Sequence, residues 1–336
     1  MAGLENFVLN LLKKKLIEVT GKKIIKGKVP FESDFPQTIE YIKKGKKKQT
    51  TKDNEYYLYS INDNLIIPMG KEAYCSYCNG SGNELESKMK ALRSSSAMTY
   101  NLFNNHPFIT LKSYPQKSIT GGKYTVEFEK QLFTLDETKT TMPANLDVFL
   151  TCDDTVIACE MKMMEWFSTN NSVLKNAYIT EACYDSVSQG DVFEAFRDFA
   201  AHIIDENGQI VVGDTTKEYK TYFKRYDCFQ MYKHILACYN YCAKHKNIKK
   251  LTLVNCVWEI KNPDSIDGLP GKYKTIRDEE HREFELFKKL SCKVKTVFDT
   301  IGVEFSVEYI PYYEFTEKVV DGLSNAEKDY LKRYNF

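Results

Sequence analysis

The stretch ANLDVFLTCDDTVIACEMKMMEW, residues 144–166, decides the fold because it has the pattern of one β-hairpin. Two apolar runs, rich in the Val, Ile, Phe and Cys typical of strands, flank the turn-forming pair Asp153-Asp154. In a hairpin that turns at Asp153-Asp154, residues whose numbers add up to 307 lie opposite each other. Asp147 and Glu160 fulfil this condition. Their Cβ atoms would lie about 5 Å apart on one face. One divalent ion could then bridge the two carboxylates.

Lys162 adds a cation to this predicted pair of acids. The strand period of two places Lys162 on the face of Glu160, whereas Val148 and Cys159 point to the other face as core. Two close, half-buried carboxylates repel each other, so a proton, a metal ion or Lys162 must compensate them. Mg²⁺ suits the pair, with Mn²⁺ as an alternative, because it accepts one or two carboxylates and fills its other positions with water and substrate phosphate. Taken singly, each residue fits a solvated surface; together they favour a catalytic site.

Charge is distributed unevenly along the 336 residues, a length that suits one large domain or two ordinary ones. The net charge is +1, but residues 1–52 carry thirteen Lys against five acidic residues, and the run KKGKKK occupies 43–48. Such an arm could neutralise nucleic-acid phosphates, or it could be solvated surface. We therefore expect a basic N-terminal region at 1–70 and a catalytic domain at 71–336.

Ten cysteines are scattered through a chain without a secretory signal, which favours a reducing compartment over a disulfide scaffold. The opening MAGLENFVLNLLKKK is typical of an amphipathic helix, and no run approaches the roughly 18 apolar residues of a membrane span. We expect a soluble cytoplasmic protein without membrane contact. Cys75 and Cys78 form half of a potential zinc site, but a matching second half is missing from the sequence, so zinc stays an open alternative.

The order of the remaining elements predicts a mixed α/β unit in which a helix, three strands, further helices and a strand follow one another. Apolar residues at helical spacing predict helices at 84–104, 191–205, 222–244 and 284–301. Alternating or continuous apolar runs predict an edge or half-exposed strand at 124–132, a buried strand at 251–260 and another strand at 303–310.

This order, with a carboxylate on the second strand and Glu-x-Lys on the third, resembles the PD-(D/E)xK nuclease superfamily, which has the restriction-endonuclease-like fold. Further stretches resemble a bacterial restriction-endonuclease-like branch: SSSAMTYNLF at 94–103, YTVEFEKQLF from Tyr124, EMKMME at 160–165 and FQMYKHILACYNY at 229–241. Pro143 stands four residues before Asp147, so the proline-aspartate pair of the superfamily's name is absent. The resemblance implies an αβββαβ core with a central mixed sheet flanked by helices.

The resemblance also implies roles for individual residues. Asp147 and Glu160 would hold Mg²⁺, while Lys162 would orient water or offset charge on the phosphate. A helix carboxylate would complete the metal site. Glu86 is the first choice, with Glu84 as the alternative, although both could be ordinary acids of a helix N-terminus.

Gln230 would lie on the helix packed behind the hairpin and reach toward the metal or the phosphate. His234 falls on the same side one turn later, where a core histidine is the commoner situation.

The predicted function is therefore a Mg²⁺-dependent nuclease that hydrolyses phosphodiester bonds in DNA, without excluding RNA, and a homodimer would suit double-strand cleavage. Two alternatives remain open at the level of sequence. The chain could be a non-catalytic nucleic-acid-binding protein that retains the nuclease fold, with salt-sensitive binding through its lysine runs. It could also be an interaction or structural module in which the acids and the lysine only form an ion pair.

Overall fold

The computed structural model describes residues 2–21, 28–30, 51–53, 56–58, 60–80, 84–85, 88–104, 106–138, 143–204 and 217–336. The strands are β1 (Lys28–Pro30), β2 (Thr51–Asp53), β3 (Phe108–Leu111), β4 (Gly122–Leu132), β5 (Ala144–Cys152), β6 (Thr155–Lys162), β7 (Leu174–Lys175), β8 (Glu218–Tyr219), β9 (Lys250–Val257), β10 (Glu304–Pro311) and β11 (Val320–Asp321). The helices are α1 (Ala2–Thr20), α2 (Lys71–Asn79), α3 (Ser95–Phe103), α4 (Asp191–Ile203), α5 (Cys228–Lys244), α6 (Lys272–Ser291), α7 (Lys295–Thr300), α8 (Tyr312–Glu314) and α9 (Asn325–Leu331).

A seven-stranded mixed sheet, in the order β10-β9-β6-β5-β4-β3-β11, forms the centre of the molecule. Strands β3 to β6 pair antiparallel with one another in chain order, whereas β9 lies parallel to both β6 and β10. Helices flank this sheet: Tyr241 of α5 packs its ring 5.1 Å from that of Phe149, and Tyr100 of α3 lies 6.0 Å from Phe128. The predicted α/β class with a mixed sheet is confirmed, while the detailed restriction-endonuclease-like core stays a prediction.

The central hairpin has the predicted register. Val148 pairs with Cys159 and Cys152 pairs with Thr155, so the strands turn at Asp153-Asp154. Asp153 adopts a φ of +49°, a left-handed conformation that aspartate tolerates in tight turns. A two-residue turn leaves the strands a single alignment, and this is why the residue numbers alone predict the pairing.

The helix predicted at 84–104 is wrong in its first half. The chain forms a short 3₁₀ turn at Lys88–Lys90, and α3 begins only at Ser95. Ser94 is the cause: its backbone is extended, and its Oγ accepts a hydrogen bond from the N–H of Ala97, 3.1 Å away. Such a cap begins a helix, so a helix cannot run through it. The serines therefore mark a helix start.

Other element boundaries also differ from the sequence prediction. Of the two predicted alternatives for β4, the half-exposed strand is confirmed and the edge strand is wrong, because β4 pairs with both β3 and β5. Helix α5 begins six residues later than predicted, where the carboxylate of Asp227 accepts a hydrogen bond from the N–H of Gln230. The helix predicted at 284–301 is two helices, α6 and α7, separated by a 3₁₀ turn at Cys292–Val294.

The N-terminal helix α1 belongs to the same hydrophobic core as the sheet. Leu4, Val8 and Leu12 are buried in it, and Arg93 forms an ion pair with Glu5. The lysine run at 43–48 lies outside the described residues, and the division of the chain at residue 70 stays a prediction. Within the described residues, no helix has the length and apolar content needed to cross a membrane.

Candidate active site

Three acidic residues occupy neighbouring strands at the centre of the sheet. Val148 of β5 pairs with Cys159 of β6, and the same register sets the preceding residue, Asp147, opposite Glu160. On the other side of β5, the residue pairs directly before and after Asp147 place it opposite Glu129 of β4. The β4–β5 ladder skips the pair of Glu129 and Asp147, and the β5–β6 ladder ends one residue before the pair of Asp147 and Glu160.

Glu160 is the most completely bonded member of this row. Its Oε1 lies 2.8 Å from the ammonium of Lys162 and accepts a hydrogen bond of 2.8 Å from the amide of Gln230. Its Oε2 accepts a hydrogen bond of 2.9 Å from Nε2 of His234. Burial by itself would raise the pKa of Glu160, but Lys162 and His234 outweigh burial and lower it to about 2. Glu160 is therefore an ionised carboxylate inside the protein.

Lys162 is held as a cation by the same contacts. Burial would lower the pKa of its ammonium, but Glu160, and after it Glu165 and Asp227, raise this pKa above the ordinary value. The ammonium also donates a hydrogen bond of 2.6 Å to Oε1 of Gln230. An ammonium has three N–H donors. One donor therefore remains, and Lys162 also lines a cavity of about 240 Å³.

Asp147 has an environment of the opposite kind. Its Oδ2 accepts a hydrogen bond of 2.6 Å from the backbone N–H of Met161, whereas Oδ1 accepts none from any described residue. Burial first, and then the charges of Glu160 and Glu129, raise the pKa of Asp147 well above its usual range. Asp147 therefore favours a proton or a bound cation.

Glu129 is a site residue that the sequence prediction missed. Burial, Glu84 and Glu160 raise its pKa to about 8. Its backbone has a φ of +49°, which is uncommon for a residue other than glycine and recurs at functional sites. A Cβ atom on Gly80 would lie 2.8 Å from Oε2 of Glu129, so Gly80 makes room for this carboxylate. The sequence predicted an edge or half-exposed strand at 124–132 and gave Glu129 no role in the site.

The helix carboxylate predicted to complete the site is only partly accounted for. Glu86 lies outside the described residues, and α3, the helix that was to carry it, begins only at Ser95. Glu84, the alternative, accepts a hydrogen bond of 2.8 Å from Oγ of Ser96 and forms an ion pair of 2.9 Å with Lys88. Its charge also acts on Glu129. Glu84 is therefore near the acid row, but from a turn and not from a helix.

Gln230 and His234 both reach the site from α5. Gln230 bridges the predicted catalytic pair, because its amide donates to Glu160 and its carbonyl oxygen accepts from Lys162. His234 is 2% exposed and contacts Glu160 as well, so the core histidine of the sequence analysis supports the site directly. The spacing of four residues on one helix face brings both to the same carboxylate.

The oxygen donors of the row fit a hard divalent cation such as Mg²⁺. Oδ1 of Asp147 and the second lone pair of Glu160 Oε2 are available, and Mg²⁺ commonly uses one or two carboxylates with water and phosphate. A complete protein cage is not present: among the described residues, no three His, Cys, Asp or Glu side chains are grouped so that they could hold a metal ion.

The potential zinc residues lie elsewhere. Cys75 and Cys78 are both on α2 and form no disulfide bond. Neither belongs to a group of three potential metal ligands among the described residues. Lys13, Lys14 and Lys15, the described part of the lysine runs, lie on α1, where Lys14 and Lys15 pair with Glu18.

Comparison with known proteins identifies the family. The model of a family described as "Restriction Endonuclease associating with ARP" matches residues 33–334, which is most of the chain. No curated protein matches, and no solved structure matches.

Proposed function

Because this chain belongs to the family of restriction endonucleases associating with ARP, we propose that it is a Mg²⁺-dependent nuclease that hydrolyses phosphodiester bonds in DNA. The observation that carries the proposal is the row of carboxylates next to Lys162, in which Glu160 is buried and Asp147 and Glu129 are half-buried. A row of acids beside a single cation has an excess of negative charge, and a divalent ion with its phosphate substrate would balance it.

Each residue of the row would have its own part in the reaction. Asp147 and Glu160 would hold the ion, with Glu129 as a neighbouring carboxylate and Glu86 remaining a prediction. When bound, Mg²⁺ would polarise the scissile phosphate and make water a better nucleophile near neutral pH. Lys162 would donate its remaining N–H to a phosphate oxygen and stabilise the charge that grows there, in a site where burial strengthens the interaction.

Gln230 and His234 would act as positioning residues in this scheme. They fix both oxygens of Glu160, so its carboxylate cannot rotate freely when substrate binds. Gln230 also holds Lys162. A site prepared in this way needs little reorganisation during the reaction, which is the main source of electrostatic catalysis.

A second candidate function is non-catalytic binding of nucleic acid by a protein that retains the nuclease fold. One observation favours it: both oxygens of Glu160 already accept hydrogen bonds or ion pairs from protein groups. Such a protein would bind DNA with strong salt dependence through its lysines, and neutralising Asp147 would leave that binding unchanged.

Cleavage of plasmid, linear duplex, single-stranded DNA and RNA with Mg²⁺ or Mn²⁺ separates the two candidates. We expect metal-dependent cleavage by the unaltered chain and a loss on the order of 100-fold or more in Asp147→Asn. Asp153→Asn is a matched control: it makes the same chemical change in the turn of the same hairpin, at a φ that asparagine also tolerates.

Two results would reject the nuclease. One is no cleavage of any substrate with either metal ion, and the other is equal cleavage by Asp147→Asn and the unaltered chain. Salt-sensitive DNA binding without cleavage would instead support the binding protein.

A further inference from the structure

Asn255 of β9 extends the acid row by one strand. In the parallel register of β6 and β9, Asn255 is the partner of Glu160, and on its other side it is the partner of Tyr309 in β10. Residues paired in a parallel sheet point to the same face, and neighbouring strands lie about 5 Å apart. Asn255 therefore lies directly beside Glu160, on the face that carries the acids.

The side-chain amide of Asn255 has no hydrogen-bond partner among the described residues. Asn255 is 2% exposed, so this amide is a buried polar group. Its neighbours differ, because Glu160 accepts bonds at both carboxylate oxygens and the hydroxyl of Tyr309 donates to Glu259. Proteins pair nearly all buried polar groups, with protein atoms, water or a ligand. The amide of Asn255 therefore indicates a bound molecule.

Asn255 lines a cavity that also borders the acid row. This is the cavity of about 240 Å³, and Lys162 and Glu280 are part of its wall. Lys162 is the partner of Val257 in the register of β6 and β9, two residues beyond Asn255, so both side chains lie on one face of the sheet. A phosphate bound by the ammonium of Lys162 would therefore be within reach of a molecule held by Asn255.

Other polar groups of the cavity wall are already bonded within the protein. Arg225 forms an ion pair of 2.9 Å with Glu279. The amide of Asn170 donates to one backbone group and accepts from another. Asp227 caps helix α5 with one of its carboxylate oxygens. Asn255 differs from these three wall residues, because its amide is available to a bound molecule.

The charge and the size of the cavity fit water. The two cations of its wall, Lys162 and Arg225, are paired with glutamates, and Glu165 and Asp227 add acidic groups. Away from the acid row and its metal ion, an anion in the cavity would find no unpaired cation, whereas a neutral molecule avoids this cost. A water molecule takes up roughly 30 Å³, so the cavity has room for several.

The amide of Asn255 can fix the direction of one such water. Its Oδ1 accepts a hydrogen bond from a water hydrogen. A water bound in this way keeps both lone pairs of its oxygen, and one of them can point at the phosphorus atom of a phosphate held by Lys162. A nucleophile that is already oriented reacts with a lower barrier than one that must first find its direction.

We propose that Asn255 is a catalytic residue that binds and orients the water molecule which attacks the scissile phosphate. The inference rests on the proposed function, because it assigns the nucleophile of that reaction. The water oxygen forms a bond to phosphorus, and the bond between phosphorus and the leaving sugar oxygen breaks. One proton of the water stays on the new phosphate monoester. The other passes to water in the cavity, and the leaving oxygen takes a proton from solvent.

Asn255→Leu tests this role, because leucine has the same branching pattern and lacks the amide. We expect the single-turnover rate of DNA cleavage to fall at least tenfold. The dissociation constant for DNA and the Mg²⁺ concentration that gives half of the maximal rate should stay unchanged. The free energy of unfolding should not fall, since the amide has no hydrogen bond with a described residue to lose.

Asn171→Leu is the matched control. Asn171 lines the same cavity but is exposed, and its amide donates to the carbonyl of Thr169. The variant makes the same chemical change in the same wall without touching the acid row. It should cleave DNA at the rate of the unaltered chain.

A high-resolution crystal structure tests the water site without requiring cleavage. We expect an ordered water about 3 Å from Oδ1 of Asn255, and this water should be absent from Asn255→Leu and present in Asn171→Leu.

The outcomes separate this inference from the nuclease itself. Equal cleavage by Asn255→Leu and the unaltered chain overturns the role of Asn255 and leaves the nuclease intact. A rate that falls together with stability and DNA binding gives Asn255 a structural role and also overturns the inference, as does a crystal structure without water at Oδ1. No cleavage of any substrate by the unaltered chain rejects the nuclease, and the role of Asn255 with it.

Discussion

Glu160 and Glu280 are both buried carboxyl groups, 3% and 2% exposed, yet one is ionised and the other is neutral near pH 7. Glu160 contacts Lys162, Gln230 and His234, and its pKa falls to about 2. Oε2 of Glu280 meets no donor among the described residues, and its pKa rises to about 8. Burial is common to both, so the neighbouring donors and charges decide between carboxylate and carboxylic acid.

This difference distinguishes two adjoining regions. The Glu160 region keeps a fixed negative charge beside a fixed positive charge. The Glu280 region offers a neutral carboxyl group, which both donates and accepts hydrogen bonds. Lys162 belongs to both regions, because it pairs with Glu160 and forms part of the cavity wall.

The largest expected effect comes from removing that shared cation. Lys162→Ala should lower Mg²⁺-dependent cleavage on the order of 100-fold or more, because it removes the N–H that meets the phosphate and leaves Glu160 with less positive charge around it. Initial rates on plasmid DNA measure the loss.

Lys288→Ala is the control for this comparison. Lys288 also pairs with a buried glutamate, Glu308, at 2.8 Å, but both lie outside the acid row. Its cleavage rate should match that of the unaltered chain. Equal losses in both variants would mean that Lys162 acts only through folding.

The next effect concerns the stability of the Glu160 network. Glu160→Gln should lower the free energy of unfolding by about 3 kcal/mol, because Lys162 then loses the charge that holds it inside the protein. Urea unfolding of Glu160→Gln, Lys162→Met and the double variant measures the coupling between the two side chains.

The double variant should be more stable than the sum of the single losses predicts, since it leaves no buried charge of this pair without a partner. Simple additivity of the two losses would show that Glu160 and Lys162 do not stabilise each other, and the contrast with Glu280 would lose its basis.

The smallest expected effect is a change in pH dependence at Glu280. A glutamate in the unfolded chain ionises near 4.5, whereas folded Glu280 keeps its proton up to about pH 8. Its contribution to stability is therefore complete below pH 4.5 and is lost as the pH rises to about 8.

Glu280→Gln should remove this part of the pH dependence. The difference in free energy of unfolding between Glu280→Gln and the unaltered chain should grow by on the order of 1 kcal/mol in favour of the variant between pH 7 and pH 9, as measured by urea unfolding across that range. Parallel pH profiles for the two proteins would show that Glu280 ionises normally inside the fold. The charged neighbours Lys162, Asp227, Glu259 and Glu283 are present in both proteins, so their own titration does not create the difference.

The hairpin shows how much of the site can be predicted from sequence. A two-residue turn at Asp153-Asp154 leaves one register for its strands, and this register alone sets Asp147 opposite Glu160. Helix periodicity likewise placed Gln230 and His234 on one face of α5. These are short-range relations, in which local geometry alone fixes which residues are neighbours.

Glu129 shows where sequence reasoning ended. Strands β4 and β5 are joined by a long connection, so no turn fixes their register and the sequence does not predict that Glu129 lies opposite Asp147. The helix start at Ser94 was missed for a related reason, because apolar spacing continues across a position where a side-chain cap breaks the helix.

The sequence by itself determined the α/β class, the central hairpin and the grouping of Asp147, Glu160 and Lys162, because local turn geometry and residue periodicity fix them. Only the tertiary structure decided that Glu129 joins the acids, that α5 supplies Gln230 and His234 to Glu160, and that Glu280 is neutral beside the cavity. Those features depend on how strands that are distant in sequence align, and on which hydrogen-bond donors the folded chain places near each carboxyl group. The order of residues along the chain does not specify either.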